Sequence, residues 1–132
     1  MKKGYVDNID KATVANEDFR HVLYTGQNLQ LVLMTLQPGD EIGSETHDDR
    51  DQFFRIEEGE GEIHIDGVKN RVEDDFAVIV PAGALHNVVN TGATPLRMYT
   101  IYGPPEHVDA VVHRTKAEAD AAHEHFDGKT TE

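Results

Sequence analysis

Between Phe19 and Gly103 the chain is a succession of short runs, FRHVLYTG, LQLVLMTLQPGD, QFFRIEEG, GEIHIDG, FAVIVPAG, HNVVNTG and PLRMYTIYG, each apolar or alternating and each closed by glycine, proline, asparagine or aspartate. This punctuation constrains the fold more than any single residue does. Glycine and proline stop a helix before it can repay its nucleation cost, so the runs read as strands and the intervals as turns. Strands this short and this numerous bury their apolar faces only by pairing into a sandwich or a closed barrel, and the expected class is all-β.

The runs differ in how they alternate. In GEIHIDG, Ile63 and Ile65 share one face and Glu62, His64 and Asp66 the other, the pattern of a half-buried strand. LQLVLMTL is apolar on nearly both faces, so a second sheet or a subunit is expected to cover it twice. The acidic run from Glu57 to Glu62 reads as a solvated strand edge and turn, with Gly59 and Gly61 in the turn.

Outside this region the pattern changes. Residues 1–18 form an N-terminal arm, residues 19–103 the barrel, and residues 104–132 a tail that opens on two prolines and becomes rich in alanine and charge. Thr115 with Glu118 has the form of a capping box before KAEADAAHEHF, which predicts a short exposed C-terminal helix. The final DGKTTE is expected to fray.

A length of 132 residues with 38% hydrophobic content supplies one core, hence one domain. The net charge of −13 repels phosphate backbones and anionic lipid, so neither nucleic acid nor a membrane surface is an expected partner. No apolar run approaches the roughly 20 residues of a membrane span and no leader-like segment opens the chain, so a soluble, cytoplasmic protein is expected. With no cysteine, any metal must be held by nitrogen and oxygen.

Such donors gather around His47. Glu45 lies two residues before it, on the same face if that stretch is extended. Gln52 begins the next strand, and downstream PAGALH ends in His86 as a proline–glycine turn feeds a new strand. Gly39-x5-Glu45-x-His47-x4-Gln52-x6-Gly59 and Asp75-x5-Pro81-x-Gly83-x2-His86-x3-Asn90 follow the spacing of the two motifs of the cupin family, G-x5-H-x-H-x3,4-E-x6-G and G-x5-P-x-G-x2-H-x3-N. From about Leu31 to Tyr102 the chain therefore resembles a small single-domain cupin. Glu45 stands where the family has its first histidine, Gln52 where it has glutamate, and Asp75 where it has glycine. Aspartate tolerates the left-handed turn conformation that the last position needs. Asp51 also fits the first interval, but only Gln52 keeps six residues to Gly59 and shares a strand face with Phe54 and Ile56. Gln52 is the candidate, with Asp51 in reserve.

The resemblance implies a double-stranded β-helix, the jelly-roll cupin barrel, with a metal inside its mouth held by Glu45, His47, Gln52 and His86. One carboxylate, two imidazoles and an amide oxygen suit a divalent transition metal, Mn, Fe, Co, Ni or Zn. Glu45 doubles as a candidate general base. The implied function is a metal-dependent enzyme, of isomerase or lyase type, acting on a small oxygen-rich ligand such as a sugar, sugar acid or keto acid. A metal-dependent dioxygenase or oxidase and a non-catalytic small-ligand-binding cupin are the alternatives. Arg55 and Arg97 are counted as the strand arginines, with no basic cluster for a phosphate. His64 is expected to face solvent or a hydrogen-bond partner, His107 and His113 to be candidates for covering an opening of the barrel, and His21, His123 and His125 to lie at the surface. The arm and the doubly apolar strand predict a homodimer that exchanges or adds an edge strand.

Overall fold

The computed structural model describes residues 1–132. Its strands are β1 (Arg20–Thr25), β2 (Gln30–Leu36), β3 (Asp51–Glu58), β4 (Glu60–Ile65), β5 (Val68–Glu73), β6 (Ala77–Val80), β7 (His86–Val89), β8 (Leu96–Gly103) and β9 (Val112–His113), with helices α1 (Ile9–Ala15) and α2 (Lys116–Ala122) at either end. All strand pairs are antiparallel, in a six-stranded sheet ordered β6-β3-β8-β2-β1-β9 and a three-stranded sheet ordered β5-β4-β7. Crossing from one sheet to the other and back is the course of a double-stranded β-helix, the fold that the motifs imply.

Parity along the strands sets the core. On β3, Gln52, Phe54 and Ile56 are buried; on β8, Leu96, Met98, Thr100 and Tyr102 are buried while their neighbours are partly exposed. The apolar ones, Phe54, Ile56, Leu96, Met98 and Tyr102, meet Ile63, Val72 and Val88 of the small sheet in one cluster. Strand β2 is buried on both faces, as expected, and the chain's own arm covers its outer face. There Thr35 donates from Oγ1 to the Asn16 carbonyl (2.8 Å) and accepts from Asn16 Nδ2 (3.0 Å), while Arg97 Nε donates to the same carbonyl (3.2 Å).

The arm contains a helix that the residue pattern did not predict. Only seven residues long and carrying β-branched Ile9, Thr13 and Val14, α1 has little intrinsic propensity. Asn8 caps it by accepting from the Lys11 N–H, and burial of Thr13 against the sheet holds it in place. Strand β5, VKNRVE, has no apolar alternation to mark it in the sequence. It buries only Val72 and is otherwise a polar sheet edge.

Further differences lie in turns and termini. Gly61 is part of β4 rather than a turn: a Cβ there would collide with the Val89 carbonyl of neighbouring β7. The acidic run is largely solvent-exposed as expected, and its carboxylates also make surface pairs, Glu58 with Arg97 (2.8 Å), Glu60 with Arg71 (2.7 Å) and Glu62 with His64 (2.9 Å). Asp75 adopts a φ of 72°, the left-handed value expected of it. Helix α2 is capped by Thr115, which accepts from Glu118 N (3.1 Å), and ends at Ala122. The last residues are docked instead of frayed. Thr131 exchanges bonds with Thr25, and the Glu132 carboxylate accepts from Gly4 N (2.8 Å) and Tyr24 Oη (2.7 Å). No helix is long and apolar enough to cross a membrane.

Candidate metal centre

The segment from Gly39 to His47 is extended and zips along the second motif. Gly39 N donates to the Asn90 carbonyl, Asn90 N to that of Asp40, Ile42 N to that of Val88, and Gly83 N to that of His47, at 2.9–3.1 Å. In the middle, Glu45 and His86 exchange both of their backbone bonds at 2.9 Å, so their side chains stand side by side on one face. Asn90 is the clasp of this zipper. Its buried side chain donates to the Leu36 and Thr94 carbonyls (2.9 Å each) and accepts from Gly92 N.

The ligating atoms of Glu45, His47 and His86 all lie within 4.8 Å of one another. Gln52 enters from the opposite sheet, where β3 runs between β6 and β8, and its Oε1 lies 3.1 Å from His86 Nε2. All four residues singled out in the sequence thus converge. Asp51 points outward, accepting from Ala82 N (2.9 Å), and so braces the turn that leads into His86.

The proton inventory of the cluster fits a cation. Thr100 donates from Oγ1 to the Phe53 carbonyl (2.8 Å), which leaves its lone pair to accept from Gln52 Nε2 (3.0 Å). The Gln52 amide is therefore oriented with its oxygen inward. His86 Nδ1 faces the Ala84 carbonyl at 3.1 Å. A neutral imidazole has one N–H: on Nδ1 it leaves the Nε2 lone pair facing the Gln52 oxygen, and on Nε2 it donates to that oxygen as an ordinary hydrogen bond. In the first tautomer a cation between the two lone pairs would relieve their repulsion. His47 Nε2 and Glu45 Oε2, 3.1 Å apart, are the other two donors.

The surroundings reinforce this polarity. Burial opposes ionisation of Glu45, but the His47 hydrogen bond and the nearby His47, Arg20 and His86 charges outweigh it and hold the carboxyl below its ordinary range. The same hydrogen bond raises the His47 pKa against its own burial, with Glu106 adding to the rise. Glu106 Oε2 lies 3.6 Å from His47 Nδ1 and is itself paired with Arg50, which also donates to the Pro105 carbonyl (2.9 Å). A carboxylate behind the second ring nitrogen is the usual brace of a ligating histidine. Burial keeps the Tyr102 phenol protonated far above its usual range, and its ring stands edge-on to both His47 and His107.

A cavity of about 140 Å³ opens onto Glu45 and is bordered by Arg20, Glu106, His107, Glu124 and His125. His107 belongs to this wall, with Nδ1 on the Glu124 carboxylate (2.6 Å) and Nε2 on Tyr102 Oη (3.3 Å). His113 contacts Arg20 on the same side. His123 and His125, expected at the surface, line the rim. His64 pairs with Glu62 on the outer face, and His21 lies 3.7 Å from Asp18. The count of strand arginines is corrected: Arg20 opens β1 facing inward and Arg71 lies on β5. Strand parity with Val22 carried the signal for Arg20; nothing local marked Glu106 or Thr100. A larger apolar hollow of about 440 Å³, between Tyr5, Tyr24, Leu29 and Ile101, touches none of the donors.

The chain is 49% identical to the uncharacterised protein YrkC of Bacillus subtilis over 127 residues, 91% of this chain and 68% of that one. It is 38% identical to an uncharacterised protein of Acanthamoeba polyphaga mimivirus, covering 78% of this chain and 67% of the other. Among solved structures, BH2720 of Bacillus halodurans superposes with a TM-score of 0.89 at 45% identity, over 91% of this chain and 96% of that one. A family model described as the cupin domain matches residues 32–102, a span that starts in β2, ends in β8 and holds all four converging donors, and the chain belongs to the cupin family.

Proposed function

We propose that this cupin binds one divalent transition metal through Glu45, His47, Gln52 and His86 and uses it on a small oxygen-rich ligand admitted through the adjoining cavity. The observation that carries the reading is the convergence of donors: the ligating atoms of Glu45, His47 and His86 lie within 4.8 Å of one another, and Gln52 Oε1 lies 3.1 Å from His86 Nε2. Mixed nitrogen and oxygen donors with one anionic member favour Mn, Fe, Co, Ni or Zn over calcium and magnesium, which take more oxygens.

The reaction class we favour is isomerase or lyase chemistry on a sugar acid or keto acid. A bound metal would supply a Lewis acid that polarises a ligand oxygen. The protein's own contribution is proton handling. Glu45 is kept ionised by His47 and its side chain is 34% exposed, against 13% for His47, so it is the donor best placed to accept a proton from a ligand in the cavity. Tyr102, protonated and buried, offers a neutral hydroxyl beside His107. The neutral Gln52, in place of a second carboxylate, leaves more positive charge at the centre, which favours polarising an oxygen over stabilising a high oxidation state. The expected homodimer belongs to the same proposal.

Elemental analysis of the purified protein and of the double variant His47→Ala, His86→Ala tests the site. The expected result is about one metal per chain in the wild type and none in the variant; an unchanged stoichiometry in the variant would rule the site out. Oxygen consumption by the ferrous or manganous form would move the reaction class to an oxygenase or oxidase.

A further inference from the structure

Arg20 is a buried cation that makes no salt bridge, although its charge acts at longer range on Glu45 and Glu124. Its side chain opens β1, points into the barrel and retains 7% of its exposure. Its Nε is shielded from solvent without any hydrogen-bond partner, and its Nη1 meets only His113 Nδ1 at 3.2 Å. That nitrogen must accept, so the imidazole is the neutral tautomer and brings no negative charge. The Phe19 ring lies 5.3 Å from the guanidinium carbon, a cation–π contact that satisfies no N–H. Buried charges are ordinarily paired, because desolvating an unpaired one is costly.

The carboxylates around the same cavity are all engaged elsewhere. Glu45 is held by His47, Glu106 by Arg50, Glu124 by His107, and Asp120 by Lys116 (2.7 Å). Arg20 is the one arginine or lysine lining this space, it makes no salt bridge there, and it shares the cavity with Glu45 of the donor cluster.

We propose that Arg20 is the recognition residue for the carboxylate of a small 2-hydroxy or 2-oxo acid, whose neighbouring oxygen faces the Glu45–His47–Gln52–His86 cluster. A planar guanidinium with free N–H groups matches a carboxylate in geometry and charge. The volume of about 140 Å³ corresponds to four or five waters at about 30 Å³ each, room for an acid of a few carbons. The inference names the ligand class for the metal-site reading and rests on it for the second contact.

The test is calorimetric titration of lactate and of lactamide, its neutral counterpart of equal size, into metal-free and Mn(II)-loaded protein, with metal content measured in parallel. Lactate is expected to bind the loaded wild type at least about 10-fold more tightly than lactamide. Arg20→Gln should abolish that preference while keeping the wild-type metal content and a melting temperature no lower than that of the wild type, and Arg20→Lys should fall between. Equal affinity for the two ligands in the wild type, no lactate binding, or undiminished lactate binding by Arg20→Gln would overturn the proposal. A wild type that takes up no metal defeats the metal-site reading instead; lactate selectivity of the metal-free protein then decides for or against Arg20. Should Arg20→Gln fail to fold, the wild-type selectivity together with Arg20→Lys decides.

Discussion

Thr100 looks like an ordinary inward residue of β8, yet it decides which end of the Gln52 amide faces the site. Thr100→Val removes the acceptor that holds the amide nitrogen. The expected outcome is a loss of about 1–2 kcal/mol in urea denaturation and a metal affinity reduced about 10-fold or more, as for other orienting partners of ligands. Unchanged affinity would show that the amide orientation is immaterial. At His47 the sign of the pH dependence follows from its raised pKa. The metal-free residue holds its proton to a higher pH than an ordinary histidine, and that proton must leave before Nε2 can ligate. Metal affinity should therefore weaken as pH falls from about 8 to about 6, with proton release measurable as buffer-dependent heat. Counting residues to Gly59 separated Gln52 from Asp51 because side chains alternate along a strand. The same rule was available for Arg20, since Val22 beside it is plainly apolar. Glu106 had no such signal, because it reaches His47 across a fold, 59 residues on in the chain.

Two backbone elements hold the site together. The zipper between residues 39–47 and 83–90 aligns Glu45 with His86, and β7 is in turn held by β4. At Gly61 that contact is too close for any side chain. Gly61→Ala should cost about 1–3 kcal/mol in urea denaturation through backbone displacement and weaken metal binding by shifting β7; a variant that equals wild type in both would place the strand-to-strand fit elsewhere. The second element is the segment after α2, which ties the cavity wall through Glu124. Burial raises its carboxyl, but the His107 hydrogen bond and the Val108 N–H more than reverse this, bringing it from an ordinary 4.5 to about 2. A group depressed in the fold stabilises it above its ordinary pKa and loses that contribution as pH falls toward the folded value. Glu124→Gln should accordingly lower the melting temperature at neutral pH, and its melting temperature should change less than that of the wild type between about pH 5 and about pH 2.

At the scale of the whole molecule, helix α1 and Asn16 occupy the outer face of β2, where a partner was one of the expected covers. Part of the exposed apolar surface lies at the opposite sheet edges, with Val68 61%, Phe76 44% and Ile79 68% exposed on or beside β5 and β6. These strands end their respective sheets and present unpaired backbone groups, the features that favour strand addition. For the proposed homodimer, light scattering should give twice the chain mass, and Ile79→Lys should return it to a monomer; a monomeric wild type would defeat it.

Alternating apolar runs cut by glycine and proline determined an all-β fold, sandwich or barrel, because strands that short bury their faces only by pairing and packing, and the two motifs singled out the barrel. Motif spacing determined which of the polar residues near His47 belong to one site, because interval and parity are local properties of an extended chain. Tertiary structure alone decided the rest. It turned α1 and the final residues into covers for β2 and β1, since neither has the propensity to hold a conformation without the surface it packs on. It also set Glu106 behind His47, and it left Arg20 buried without a salt-bridge partner, because pairing across a barrel depends on which strands meet and sequence distance carries no trace of that.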